Sequence, residues 1–281
     1  MPTSRPAPTD PARRDNVTAM GAADATPVSL RAHAKLTRTL HITGVRPDGY
    51  HLIDAEMVSL DLHDLLVIDP ARTGLTAIGP FSSGIPLDDS NLVAKALRLA
   101  GRTAHVTIDK RIPHGGGLGG GSTDAATALR WAGLGTARDD LDAASRLGAD
   151  IPFCLVGGRA RVTGIGEIIE PLPHLDITVT LVIPPLAVST PAAYRAWDEL
   201  GAPTGSGPND LEAAAIVVEP RLARWRDLIG ERTGTAPILA GSGATWFAEG
   251  EHGNALAELV DEGATVVVAR TVPMDVATER S

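Results

Sequence analysis

The chain has 281 residues, of which 43% are hydrophobic and only 3% aromatic, so it is long enough for one large domain or two small ones with aliphatic cores. Its net charge of −9 argues against a general nucleic-acid binder, and no stretch approaches the roughly 18 consecutive apolar residues of a membrane span. The single cysteine, Cys154, excludes an intramolecular disulfide and a four-cysteine metal site, so we expect a soluble protein of the reducing cytoplasm.

The N-terminal half predicts a tail followed by strands and helices. Residues 1–26 contain four prolines and few large apolar residues, which predicts a disordered tail. The spacing of apolar residues then predicts the first folded elements. These are strands over residues 28–44 (one strand or a strand pair), 57–68 and 104–110, and helices over residues 90–100, 122–132 and 139–147. Ser90 is the candidate N-cap of the first helix, and Gly101 is its stop signal.

The C-terminal half also mixes strands and helices. Its predicted strands cover residues 176–184 and 264–272, with a strand, a glycine turn and a second strand within 237–249, and its predicted helices cover 190–200, 209–218, 220–229 and 255–260. Helices interleaved with hairpin-like strand pairs indicate an α+β or two-layer α/β fold. We place a boundary near residues 160–175, which gives one domain over 27–170 and a second over 171–281.

A glycine-rich loop is the most informative segment of the sequence. Six glycines and Leu118 fill positions 115–121, directly before a predicted helix. Without side chains, the backbone N–H groups of such a loop can approach a ligand closely. The helix that follows offers unpaired N–H groups and the positive end of its dipole. The loop therefore predicts a phosphate site, with the Ser122 and Thr123 hydroxyls available to phosphate or a metal ion.

Three other interpretations of this loop are weaker. A P-loop needs a lysine where Gly121 stands. The Rossmann fingerprint is matched formally by Gly115, Gly117 and Gly120, but almost any glycine run contains it, and Pro113 separates the loop from its strand. A flexible linker would carry more polar residues and would not lead into an alanine-rich helix.

Two charged residues elsewhere have both ordinary and catalytic interpretations. Asp150 precedes Ile151 and Pro152, and this local sequence is typical of a helix N-cap. Lys35 lies in an apolar strand, where a lysine usually packs its stem and extends its amine to water. Because the chain has only three lysines among 25 basic residues, Lys35 is also a candidate for a role that arginine cannot fill. Lys110 either lines a nucleotide site or is a solvated strand end.

Several motifs together resemble the GHMP kinase superfamily. The loop, with Pro113 and GLGGGSTDAA, is similar to that superfamily's phosphate loop, P-x-x-x-G-L-G-S-S-A. Further similar segments follow in the superfamily's order, and they are AKL (34–36), TGVRPDGYHLI (43–53), LGADIPFCLVGG (147–158), GIGE (164–167), STPAAY (189–194), NDLE (209–212) and GSGA (241–244). The resemblance implies an N-terminal domain like ribosomal protein S5, a ferredoxin-like C-terminal domain, and an active site between them.

The resemblance also implies the reaction and its residues. ATP and Mg²⁺ are the expected cofactors, and Lys35 and Asp150 are the expected catalytic residues. The expected nucleotide-binding residues are Lys110, Pro113, Gly115, Gly116, Gly117, Leu118, Gly119, Gly120, Gly121, Ser122 and Thr123. The DGYH and LGADIPF segments are similar to the branch that phosphorylates the 2-hydroxyl of diphosphocytidyl-methylerythritol, and they differ from mevalonate, homoserine and galactose kinases.

The substrate side of this expected site contains Thr37, Tyr50, His51 and Tyr194. The two tyrosines are expected to enclose the cytosine ring while the histidine bonds its polar edge. Thr37 departs from the family pattern, which usually has asparagine two residues after the lysine. Two alternatives stay open: another small-alcohol kinase of the superfamily, and a non-catalytic nucleotide-binding protein. We expect a monomer or a homodimer.

Overall fold

The structure is a computed structural model that describes residues 26–205 and 207–274. The predicted disordered tail, apart from Thr26, lies outside the described residues. Within the described ranges the chain forms ten strands and eight helices, and all ten strands belong to one hydrogen-bonded sheet. The predicted α+β character is therefore confirmed. No helix in these ranges is long and apolar enough to cross a membrane.

Two long antiparallel strands form the backbone of the N-terminal half. Strand β1 covers Val28–Val45 and strand β2 covers His51–Asp69, so the first region is one continuous strand rather than a pair. Their pairing extends from Val28 opposite Ile68 to Val45 opposite His51. Irregularities in this register fall between His33 and Lys35 and between Thr37 and Thr39. Such bulges change the direction of nearby side chains, and here they flank the two candidate site residues on β1.

The rest of this half surrounds the two long strands. Its strands are β3 (Gly74–Ile78), β4 (His105–Asp109), β5 (Arg159–Gly164) and β6 (Ile168–Leu172), and its helices are α1 (Leu92–Leu99), α2 (Gly120–Trp131), α3 (Arg138–Ser145) and α4 (Ile151–Val156). Strands β3, β5 and β6 were not predicted from the sequence, and α4 was indicated only by the capping interpretation of Asp150. The predicted cap of α1 was also wrong: the Asn91 side chain accepts from the Val93 N–H at 2.8 Å, while Ser90 bonds to Asp88.

The C-terminal half carries the remaining elements. They are β7 (Thr178–Ile183), α5 (Thr190–Glu199), α6 (Glu212–Val218), α7 (Arg221–Thr233), β8 (Ile238–Leu239), β9 (Trp246–Glu249), α8 (Gly253–Leu256) and β10 (Thr265–Val272), with a short 3₁₀ turn at Ala257–Val260. Strand β10 pairs with β7 from Thr265 to Arg270, and its last residues, Thr271 and Val272, pair with Leu60 and Ser59 of β2. The sheet thus runs through both halves in the order β3-β4-β2-β10-β7-β9-β8.

The buried residues form clusters that match the two halves and their junction. One cluster lies between the first strands and α1, α2 and α4, and another lies around Trp225 and Trp246 of the C-terminal half. A third includes Leu36 and Leu60 from the first half and Phe247 from the second. The position of the boundary near residue 170 stays a prediction, because an apolar cluster and a strand pair both join the two halves.

Candidate active site

A cleft of about 940 Å³ lies between the two halves of the molecule. Strand β1, the glycine loop, the segment before α4 and helix α5 each contribute to its walls. The lining residues include Lys35, Thr37, Arg46, Tyr50, His51, Gly117, Ser122, Arg146, Gly148, Asp150, Pro191, Tyr194, Arg195, Asp198, Gly241 and Ser242. Six of the predicted site residues, Lys35, Thr37, Tyr50, His51, Asp150 and Tyr194, are therefore brought to one cavity together with part of the loop.

The glycine loop is held tightly against β1 and against the second half. Gly117 and Gly119 adopt left-handed φ angles of 76° and 69°, which glycine adopts without strain. A Cβ on Gly117 would lie 2.9 Å from the Ala240 carbonyl oxygen, and one on Gly119 would lie 2.6 Å from Cγ of Lys35. The Lys35 backbone N–H also donates to the Leu118 carbonyl at 3.0 Å. No larger residue fits at Gly117 or Gly119 without displacing its neighbours.

Helix α2 begins at Gly120, two residues earlier than predicted. Gly119 occupies the N-cap position and makes no side-chain capping bond, so the first-turn N–H groups have no cap that covers them. This arrangement of a bare loop and an uncapped helix start is suited to an anionic oxygen.

Lys35 and Asp150 meet inside the cleft. The Lys35 ammonium lies 3.3 Å from Oδ2 of Asp150 and 3.2 Å from the Thr37 hydroxyl oxygen, to which it donates. The Lys35 side chain is only 7% exposed, whereas that of Asp150 is 35% exposed. A buried ammonium beside a more open carboxylate leaves the carboxylate accessible to a ligand and electrostatically balanced.

Asp150 stands at the N-cap position of α4, but its side chain makes no capping hydrogen bond. Local sequence alone favoured a capping role, and the structure contradicts that interpretation. Pro152 lies in the first turn of α4 and has no N–H to be capped, so the helix start makes less demand on the carboxylate. The Asp150 carboxylate is directed to Lys35 instead.

Thr37, which departs from the family pattern, still takes part in the hydrogen bonding of the site. It accepts from the Lys35 ammonium, and the Thr37 residue is 2% exposed. Threonine therefore supplies an acceptor for the ammonium at this position. The nearby Gly241 brings the second half close, because a Cβ there would lie 3.6 Å from the Thr37 hydroxyl.

Lys110 lies beneath the loop rather than in the cleft. Its ammonium contacts the carboxylates of Asp64 and Asp124, the latter at 2.7 Å, and all three residues are buried. Burial by itself lowers the pKa of Lys110, but the charges of Asp124 and Asp64 outweigh burial and raise it. Burial raises the pKa of Asp124. Asp64 also accepts from the Ile112 N–H at 2.8 Å, so this network anchors the start of the loop.

The other predicted nucleotide residues divide into exposed and buried ones. Gly115 and Gly121 are exposed, and Ser122 lines the cleft. Pro113, Gly116 and Leu118 are buried. The Thr123 hydroxyl is buried too and donates to the His33 carbonyl at 2.7 Å, which ties the first turn of α2 to β1. Direct contact between each of these residues and a nucleotide stays a prediction.

An aromatic group occupies the other end of the cleft. The His51 ring stacks on Tyr194 with a centroid distance of 4.7 Å and an interplanar angle of 30°. Burial, followed by the negative charge of Asp150, raises the pKa of the Tyr194 hydroxyl to about 12, so this hydroxyl stays protonated. Tyr50 is 59% exposed, with the Arg46 guanidinium 5.9 Å from its ring centroid. The structure thus brings together the three residues predicted for the substrate base.

Helix α5 contributes three residues that were not predicted from the sequence. Pro191, Arg195 and Asp198 line the cleft together with the predicted Tyr194, and their spacing of three and four residues places them on one face of the helix. The same spacing was visible in the sequence once Tyr194 was chosen. Arg146, from the end of α3, lines the cleft as well, and within the described residues neither Arg146 nor Arg195 has an ion-pair partner.

The fold and the site define a class of protein. A family model described as "GHMP kinases N terminal domain" matches residues 91–158, which contain the glycine loop and Asp150. The mevalonate kinase of Methanococcus jannaschii has a similar structure, with a TM-score of 0.59 over 90% of this chain and 100% of that chain. Its identity of 12% supports the fold alone. The fold is that of the GHMP kinases, as the sequence motifs predicted.

More similar relatives narrow this class. The 4-diphosphocytidyl-2-C-methyl-D-erythritol kinase of Paracoccus denitrificans (strain Pd 1222) is 40% identical over 77% of this chain and 84% of its own length. The protein of the same name from Cereibacter sphaeroides (strain ATCC 17025 / ATH 2.4.3) is 39% identical over 77% and 87%. A crystal structure of 4-(cytidine 5'-diphospho)-2C-methyl-D-erythritol kinase is 30% identical, with a TM-score of 0.69 over 86% of this chain and 98% of that one. The chain therefore belongs to the 4-diphosphocytidyl-2-C-methyl-D-erythritol kinase family.

Proposed function

We propose that the protein transfers the γ-phosphoryl group of ATP to the 2-hydroxyl of 4-diphosphocytidyl-2-C-methyl-D-erythritol. The observation that carries this proposal is the Lys35–Asp150 pair, at 3.3 Å, in a cleft that also contains the glycine loop and the His51–Tyr194 group. A phosphate site, an acid–base pair and a base-binding group are the parts that such a transfer needs.

Asp150 is the proposed proton acceptor. As the 2-hydroxyl oxygen attacks the γ-phosphorus, its proton passes to the Asp150 carboxylate and the bond to the bridging oxygen of ADP breaks. The Lys35 ammonium, 3.3 Å from this carboxylate, offsets negative charge on the transferring group. Thr37 holds the ammonium in place, since its hydroxyl is the second acceptor for Lys35.

ATP is the proposed donor, and its phosphates would lie on the glycine loop and the first turn of α2. Phosphate fits there because the loop carries few side chains and because α2 starts at Gly119 without a side-chain cap. Mg²⁺ usually takes one or two protein oxygens and completes its shell with phosphate and water. Ser122 and Asp150 both line the cleft and carry such oxygens. The bound ion would neutralise charge on the β- and γ-phosphates.

The substrate's cytidine diphosphate group is proposed to occupy the α5 side of the cleft. Tyr194 and Tyr50 provide aromatic faces for the base, and aromatic stacking on a base contributes about 1–3 kcal/mol. Arg146 and Arg195 provide positive charge for the diphosphate. The acidic side chains that line this cleft are Asp150, which pairs with Lys35, and Asp198, which hydrogen-bonds to His51. Within the part of the chain that the structure describes, these two guanidinium groups have no ion-pair partner, so they make the cleft attractive to an anion despite the net charge of −9.

ADP release with Mg-ATP and the diphosphocytidyl substrate tests this function. We expect turnover by the wild type and a fall of about 10²-fold or more in Asp150→Asn and in Lys35→Met, the scale for losing proton transfer or charge stabilisation. Methionine is chosen because it keeps the packing of the lysine stem under Gly119. Asp139→Asn is the matched control, since Asp139 is exposed on α3.

Two outcomes contradict the proposal in different ways. A wild type that binds ATP but does not turn over this substrate contradicts the substrate assignment and directs attention to other small alcohols. Turnover that survives in Asp150→Asn contradicts the role of Asp150 while leaving the substrate assignment in place.

A further inference from the structure

Three residues on one face of α5 surround the His51 ring. Tyr194, Trp197 and Asp198 are spaced three and four residues apart, so their side chains point to the same side of the helix. Tyr194 stacks on the ring, and Trp197 meets it edge-on with a centroid distance of 5.5 Å and an interplanar angle of 82°. Trp197 is itself fixed, because its indole N–H donates to the Pro203 carbonyl at 2.9 Å. The plane of the His51 ring is therefore set from two directions.

Asp198 completes this enclosure with a hydrogen bond. Its Oδ1 lies 2.9 Å from Nε2 of His51. The His51 side chain is 10% exposed and that of Asp198 is 48% exposed. Both residues line the cleft. Within the described residues, Nε2 is the only ring nitrogen of His51 with a hydrogen-bond partner.

This contact determines which nitrogen of His51 can act on a ligand. An ionised carboxylate can only accept, so Nε2 must carry the proton. In the neutral ring Nδ1 is then an acceptor. An acceptor attracts the exocyclic amino group of cytosine and repels the carbonyl oxygen that uracil carries at the same position. A turn of the ring about its Cβ–Cγ bond would break the contact between Nε2 and Asp198.

We propose that Asp198 is a positioning residue that makes the base site selective for cytosine over uracil, by holding the His51 proton on Nε2. This inference rests on the proposed function, because it assumes that the base of the substrate lies against His51. Asp198 does not touch the base in this arrangement. It acts through the tautomer of His51, in the way that a carboxylate fixes the tautomer of a metal-bound or catalytic histidine.

Calorimetric titration with CDP and UDP tests the selectivity directly, without turnover. We expect the wild type to bind CDP more tightly than UDP by about tenfold or more, the factor for exchanging a hydrogen bond for an unpaired acceptor. In Asp198→Asn the amide can either accept from Nε2 or donate to it, so both tautomers become available. The CDP:UDP affinity ratio should then fall towards one.

Two further variants separate tautomer control from a general structural effect. Asp198→Glu keeps an acceptor-only group and should retain a preference for CDP. Glu199→Gln makes the same change of charge at the neighbouring, exposed position of α5 and should leave the ratio unchanged. A loss of helix stability would weaken both ligands together and would not move the ratio. An Asp198→Asn protein with the wild-type ratio overturns the proposal.

Nitrogen-15 NMR of the imidazole rings gives an independent readout. At a mildly alkaline pH, the signals that disappear in His51→Gln should be those of a neutral ring with its proton on Nε2. A proton on Nδ1, or on both nitrogens, overturns the proposal. Failure of the kinase activity is distinguishable from this: a protein without turnover that still prefers CDP and carries the Nε2 proton contradicts only the proposed reaction.

Discussion

Gly119 allows a close approach that sets the position of Lys35, and replacing it with alanine should impair catalysis. A Cβ at this position would lie 2.6 Å from Cγ and 3.3 Å from Cε of Lys35. Because non-bonded carbons normally approach to roughly 3.5–4.0 Å, the lysine stem must move by about 1 Å. The ammonium that now lies 3.3 Å from Asp150 would move with it. A misplacement of about 1 Å can reduce the rate by about 10²-fold, so we expect kcat to fall by that factor.

Gly101→Ala is the matched control for Gly119→Ala. Gly101 lies outside the cleft and has a similar left-handed φ of 62°, but no atom lies within 4 Å of a Cβ placed there. Both variants therefore carry the left-handed strain of alanine, about 1–2 kcal/mol, and both should lower Tm by a few degrees. Only Gly119→Ala should lower kcat, measured by ADP release under saturating substrates. Equal kcat values for the two variants would refute the inferred link between the loop and Lys35.

Three further predictions concern charge and burial. Arg195→Ala should raise KM for the diphosphocytidyl substrate by about tenfold with little change in kcat, the scale of one charge-assisted hydrogen bond; an unchanged KM would contradict a contact with the diphosphate. Burial raises the pKa of Asp124 from 3.8 to about 7, so the folded state binds a proton that the unfolded state releases, and stability falls as pH rises through this window. The stability of Asp124→Asn relative to wild type should therefore rise as pH rises from about 4 to about 7 in urea unfolding, and a constant difference would refute this. Burial raises the pKa of Cys154 to about 12, so iodoacetamide should label it only after unfolding.

The regular elements could be predicted because their information is local. Buried and more exposed residues alternate every two residues in β2, and apolar residues recur every three to four residues in α7. Each pattern lies within a single segment of the sequence. Elements without such a pattern were missed. Every residue of β3 and β6 is either half-buried or exposed, so neither strand shows the alternation of buried and exposed residues that identifies a strand in a sequence. The cap of α1 shifted by one residue because Asn91 and Ser90 have similar capping propensities.

The roles of charged residues were less accessible to sequence reasoning. Asp150 resembles a cap in its local sequence, and only the approach of β1 shows that its carboxylate meets Lys35 instead. Lys110 resembles the end of a strand near the loop, yet its ammonium contacts Asp64 and Asp124 from two other elements. Asp198 had no distinguishing local feature at all. These partners lie between 14 and 147 residues apart along the chain, beyond the reach of any periodic pattern.

The sequence by itself determined the glycine loop, the family and most of the strands and helices. Its glycines need no tertiary context to indicate a bare loop, since the absence of side chains is a property of the residues themselves. Only the tertiary structure decided the geometry of the site. It determined which carboxylates are buried and which one opens to the cleft, that the Thr37 hydroxyl accepts from Lys35, and that α5 encloses His51. The physical reason is that charge pairing and ring stacking act over a few ångströms, and only the folded chain determines which groups come that close.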